Sequence, residues 1–240
     1  MLIWLIGYFA LISGKSFDAV LIRRDLAGLT KREDLLMQQI PLLLPGSRYL
    51  KAKRTWKLSN GSSLILVHRD ANGAFDKLQG QDLSHVFWDE LEQEGDPQVV
   101  HRARSSMRTT DPTVVPKFIA TANPLGPGSW WIRDYMVTKA LPKRIFSCEF
   151  YSAQPAVWVK STLRDTPYLS NPDAYEQELR VSCFGNESKI AAEVLGEWGH
   201  PRPRRTSRDG AAAGLAGRLH HQNRARQDRG VGPGCELLTS

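Results

Sequence analysis

The stretch Leu83-Ser84-His85-Val86-Phe87-Trp88-Asp89-Glu90 decides the fold. A short apolar run that ends abruptly in charge reads as a buried strand. Its last two residues are carboxylates. In open α/β sheets, ligands sit beyond the carboxyl ends of the strands. A strand of this kind therefore fixes two acids where chemistry is done. The first, Asp89, can hold the Mg²⁺ of a bound Mg-ATP, usually through water. The second, Glu90, can polarise an attacking water as general base. Alone, the same pattern also fits a strand ending in two solvated acids.

Working outward, Val115-Pro116-Lys117-Phe118-Ile119-Ala120-Thr121-Ala122-Asn123 reads as a second strand, about 30 residues on. It runs into a loop of proline and glycine, Pro124-Leu125-Gly126-Pro127-Gly128. Thr121, Ala122 and Asn123 stand where a sensor of the γ-phosphate would couple hydrolysis to movement. Thr and Asn suit that task because they hydrogen-bond without adding charge. An ordinary turn after a strand fits as well. If both strand ends serve one phosphate, they must be neighbours in one parallel sheet, with Val86–Trp88 buried on both faces.

Upstream, Phe17–Arg24 reads as another buried strand, and residues 30–44 have helical spacing that Pro41 complicates. Asn60-Gly61 between two extended runs, 53–58 and 63–67, predicts a hairpin. Residues 97–108 and 129–139 read as helices. Strands alternating with helices predict an α/β fold with a mostly parallel sheet and flanking helices.

Composition agrees with a globular chain: 41% hydrophobic and 24% charged residues in 240. The net charge of +7 is uneven. Residues 201–240 carry eight arginines against three acids, which leaves +2 for the first 200 residues. That tail is rich in Arg, Gly and Ala, lacks periodicity, and is expected to be disordered. Three dispersed cysteines form no Cys-x-x-Cys pair, so zinc ligation is not expected. The apolar start, Met1–Ile12, is too short for a bilayer span of about 20 residues and lacks a basic leader region. It is expected to bury against the core as a truncated N-terminal segment.

Taken in order, these segments resemble the large subunit of bacteriophage terminases. Phe17-Asp18-Ala19-Val20-Leu21-Ile22-Arg23-Arg24 is similar to that family's strand ending in arginines. Lys77-Leu78-Gln79-Gly80 followed by Val86–Glu90 resembles its glycine-preceded Walker B segment. Thr121–Gly128 with Trp131 resembles its coupling motif. Thr162–Leu169 and then Gly196-Glu197-Trp198 resemble the segments that close its ATPase region. The resemblance covers roughly residues 17–198.

It implies a P-loop-type ATPase of the additional-strand catalytic-glutamate class, incomplete at its N-terminus. The implied cofactors are ATP and Mg²⁺. The implied partners are double-stranded DNA, a portal protein, a small terminase subunit and copies of the chain in a ring, in the host cytoplasm and not at a membrane. Many members of that family have an arginine where Gln79 stands. Lys77, Arg23 and Arg24 are therefore the candidates for a basic residue acting on a neighbour's ATP.

Two departures stand out. The phosphate-binding pattern G-x-x-x-x-G-K-[ST] is met only at its end, by Ser13-Gly14-Lys15-Ser16, with Phe9 at the first glycine. Lys15 and Ser16 are the nucleotide-binding candidates it offers. Yet a strand follows at once, where a phosphate loop opens a helix. The run is thus expected to be coincidental, the true loop lying upstream of Met1. After Trp198 no carboxylate triad of a nuclease follows, and the tail from 199 reads as a frameshifted or prophage remnant. The isolated chain is then expected to be inactive. A DExx-type DNA-dependent ATPase or helicase, and a non-catalytic remnant, are the alternative readings.

Overall fold

The computed structural model describes residues 1–70, 78, 80–165 and 169–199. Lys77, Gln79, residues 166–168 and the tail from 200 lie outside the described residues. A six-stranded sheet organises the rest. Its strands are β1 (Asp18–Arg23), β2 (Arg48–Leu50), β3 (Thr55–Lys57), β4 (Ser63–His68), β5 (His85–Asp89) and β6 (Lys117–Ala120). Their order across the sheet is β2-β3-β4-β1-β5-β6. The strands β4, β1, β5 and β6 run parallel, and β2 and β3 add an antiparallel edge. The fold is α/β with a mostly parallel sheet, as the alternation of elements predicts.

Period-2 alternation splits the core into two layers. Ala19, Leu21, Leu64, Leu66 and Phe87 face one side, where α1 (Leu2–Ile12) and α2 (Leu26–Leu43) cover them. Val20, Ile22, Val67, Val86 and Trp88 face the other, with α3 (Pro97–Ser105) and α4 (Ser129–Ile132). Val86, Phe87 and Trp88 are at most 1% exposed, so β5 is buried on both faces, as expected for a central parallel strand.

The apolar start forms the helix α1. Leu2, Ile3, Ile6 and Ala10 join the first core layer, while Trp4, Tyr8 and Leu11 remain exposed. Sequence periodicity did not single out this helix because it is apolar all round. The predicted hairpin is present, with Gly61 at φ 91° in the turn. Asn60 Nδ2 donates to the carbonyls of Ala10 (2.8 Å) and Gly14 (3.2 Å), tying the hairpin to the end of α1.

The helix α2 starts earlier than the spacing predicts, because Asp25 caps it by accepting a hydrogen bond from Gly28 N at 2.6 Å. It also runs past Pro41 to Leu43. The helix α3 has Asp96 as N-cap and Pro97 at its first turn. The helix α4 continues as one π-helical turn, Arg133–Val137. Strands β7 (Phe146–Cys148) and β8 (Gln154–Ala156) form a separate antiparallel pair, and α5 (Pro172–Ser182) packs with α6 (Glu187–Glu193) around Cys183, Ile190 and Val194. Among the described residues, no helix is long and apolar enough to cross a membrane.

Candidate functional site

Strands β5 and β6 are neighbours and parallel, with Trp88 opposite Ala120. Their ends therefore emerge side by side. Thr121 N donates to Trp88 O (2.9 Å), and Leu91 N donates to Thr121 O (2.8 Å). Between these bonds Glu90 adopts a left-handed conformation, φ 55°, that turns the chain sharply off the strand. The Thr121 hydroxyl accepts from Glu90 N at 3.1 Å and donates to Asp89 Oδ1 at 2.8 Å. One hydroxyl thus links both acids to the neighbouring strand.

Asp89 is 2% exposed. Its Oδ2 receives the guanidinium of Arg23 through Nη1, and Arg32 Nε at 2.6 Å. Arg23 lies opposite Asp89 in the ladder between β1 and β5, so the parallel register itself brings them together. Its Nη2 meets Glu90 Oε2 at 2.8 Å and its Nε meets Asp25 Oδ2 at 3.3 Å. Burial opposes the charge on Asp89. Hydrogen bonds from Arg32, Thr121 and Arg23 outweigh it and hold the carboxyl below its ordinary range. Burial likewise opposes the charge on Arg23, but Asp89 and Glu90 raise it overall.

The two exit loops interlock. Asn123 Nδ2 donates to Glu92 Oε1 at 3.1 Å, and Gly128 N donates to Glu92 O at 2.7 Å. A Cβ at Gly126 would stand 2.7 Å from Glu92 O, and one at Gly128 would overlap Glu94 O. The Gly-Pro-Gly loop is thus glycine-rich because it lies directly on the backbone of residues 92–94. Trp131 Nε1 locks the arrangement by donating to Glu94 O at 2.8 Å. Glu92 is 1% exposed, and burial raises its pKa. Its Oε2 has no hydrogen-bond partner among the described residues.

The structure therefore brings Asp89, Glu90, Thr121 and Arg23 together. Asn123 reaches Glu92 instead of Asp89, and Ala122 packs in the second core layer. Arg24 points along the loop, with Nη1 donating to Gln93 O at 2.8 Å. Lys15 and Ser16 are not brought to this end. They form a 3₁₀ turn that enters β1, whereas Asp89 pairs with the last residue of that strand. The strand alone separates them by roughly 16 Å at its rise per residue. Ser16 Oγ instead donates to Asp111 Oδ2 at 2.6 Å. Gly14–Ser16 forms a 3₁₀ turn connecting α1 to β1.

Sequence reasoning missed Arg32, Gly28 and Glu92. Arg32 belongs to an ordinary polar helix face. Glu92 sits in an acidic run that reads as solvated. The one signal for the first two was the spacing of Gly28 and Arg32, which places them on one face of α2.

As arranged, the residues do not fit a divalent cation at Asp89. Such a cation needs carboxylate oxygens free of competing positive charge. Here Oδ2 carries two guanidinium groups and Oδ1 accepts from Thr121. Among the described residues, no three His, Cys, Asp or Glu side chains form a metal cage.

No protein-family model matches the sequence. No curated protein matches it either. Solved structures do. The chain is similar to the large terminase of a thermophilic bacteriophage, at a TM-score of 0.56 and 16% identity, over 82% of this chain and 45% of that one. The same terminase in complex with ADP gives 0.53 and 15%, over 81% and 44%. The HK97 bacteriophage large terminase gives 0.50 and 13%, over 81% and 43%. The chain thus spans less than half the length of each, and at these identities the likeness is one of fold.

Proposed function

We propose that the chain is the ATPase portion of a phage DNA-packaging motor, with the job of the large terminases whose fold it shares. The observation that supports this best is the convergence at Thr121. Its hydroxyl touches both Asp89 and the Glu90 backbone from the adjacent parallel strand. In this reading Glu90 is the general base that polarises water toward the γ-phosphate. Thr121 is the sensor: any shift of the acids is passed at once to β6 and to the Gly-Pro-Gly loop. The fold relative with bound ADP supports a nucleotide as ligand. With Asp89 held by Arg23, Arg32 and Thr121, no step of this reading is routed through a Mg²⁺ ion at that acid. Double-stranded DNA is the proposed track. A portal protein, a small terminase subunit and a homo-oligomeric ring are the proposed partners.

The chain by itself should turn over little ATP. Among the described residues, the acidic end has no glycine-rich amide cradle or lysine to balance the β- and γ-phosphate charge. Titration with ATP should nonetheless move the amide resonances of Glu90 and Thr121. If saturating ATP moves neither, the nucleotide reading fails. Robust hydrolysis abolished by Glu90→Gln would overturn the expectation of low turnover.

A further inference from the structure

We infer that Arg23 and Arg32 together take the place of a divalent cation at Asp89, so that the nucleotide-free chain excludes metal from this acid. The inference rests on the proposed function only in taking Asp89 as the acid that the terminase resemblance assigns to Mg²⁺. The arrangement is built rather than incidental. Arg23 makes three pairings, to Asp25, Asp89 and Glu90. Its side chain is 12% exposed. It passes over Gly28, where a Cβ would overlap its Nε and guanidinium carbon. A glycine in the first turns of a helix costs stability relative to alanine. Here it opens the slot the arginine needs. Asp25 fixes both sides of that slot, accepting from Gly28 N at 2.6 Å and pairing with Arg23 Nε.

Arg32 follows Gly28 by four residues and so lies on the same face of α2. From there its Nε reaches Asp89 Oδ2 at 2.6 Å. One helix thus provides the slot for the first guanidinium and itself carries the second. The carboxylate plane is saturated, with two cations on one oxygen and a hydroxyl on the other. A divalent ion bound at either oxygen would stand within a few ångströms of two fixed positive charges, a repulsion far above thermal energy at this burial. Arg32 is then a positioning residue. It holds Asp89 and, through the shared arginine pair, helps set Glu90.

Mn²⁺ tests this in the full chain without nucleotide, read by electron paramagnetic resonance. The wild type should show no saturable Mn²⁺ site. Arg32→Gln removes one of the two charges and should raise Mn²⁺ affinity roughly tenfold or more. Arg32→Lys should restore exclusion. Adding Asp89→Asn to Arg32→Gln should abolish the new site. A stoichiometric Mn²⁺ site in the wild type that Asp89→Asn removes would overturn the inference, whatever the variants do. So would a folded Arg32→Gln chain with Mn²⁺ binding unchanged. Nucleotide plays no part in this measurement. A chain that excludes Mn²⁺ but ignores ATP would therefore defeat the proposed function and leave this inference standing.

Discussion

At the scale of single residues, two kinds of position can be separated by what the sequence exposes. Asp89, Glu90 and Thr121 were legible because a buried strand delivers its last residues to a fixed place. Arg32 was not, since a helix face meets a strand end only through the tertiary path of α2. His85 belongs to the second kind. It is 1% exposed, it packs against Phe9, Phe17 and Phe87, and its Nε2 has no hydrogen-bond partner among the described residues. Burial, with a smaller contribution from the charge of Lys117, lowers its pKa from 6.5 to about 4. The sign follows. Between those two values the unfolded chain binds a proton that the folded chain refuses, so stability is full above about 6.5 and is lost as pH falls toward 4. The loss should be on the order of 3 kcal/mol. His85→Phe keeps an aromatic ring in the cage and removes the titration. Urea melts across this range should show a shallower slope for the variant. Equal slopes would mean that His85 does not carry the acid sensitivity.

At the scale of elements, strands were easier to read than helices. Apolar runs bounded by charge or by Asn60-Gly61 gave β1, β3, β4, β5 and β6 close to their observed bounds. The helix α1 was hidden because its outer face, with Trp4, Tyr8 and Leu11, is as apolar as its inner one. The helix α2 shows a local rule giving way to a tertiary demand. On propensity alone, Gly28→Ala should stabilise it by about 1 kcal/mol. In this fold the new methyl would collide with Arg23, whose guanidinium is anchored on three acids and cannot simply step aside. The substitution should instead destabilise by about 1–3 kcal/mol, as overpacking does. Denaturant midpoints will decide it. A stabilised Gly28→Ala chain would show that Arg23 swings away freely. Coupling should also appear: with Asp89→Asn, which frees Arg23, the effect of Gly28→Ala should shrink.

At the scale of the whole molecule, chemistry read from sequence placed β5 beside β6, because one phosphate cannot be shared by distant strand ends. Nothing comparable placed β4 beside β1 or β2 at the far edge, since apolar strands carry no such mutual requirement. Charge distribution raises a last expectation. The first 200 residues hold a net charge of only +2, while residues 201–240 hold eight arginines and three acids. If the chain binds double-stranded DNA, the phosphate term should come largely from that tail. Each neutralised phosphate releases counterions and adds about 0.9 to the slope of log affinity against log salt. Removing residues 201–240 should therefore flatten that slope by several units, roughly 3 to 5. The effect should be alike for unrelated DNA sequences, because arginine–phosphate contacts fix position without reading bases. Fluorescence anisotropy over a salt series, with the full chain and with the chain ending at His200, provides the comparison. An unchanged slope would move the DNA contact onto the α/β body. Tail-dependent binding that favoured one sequence would contradict a purely electrostatic arm, because selectivity requires side chains at base edges and not charge alone.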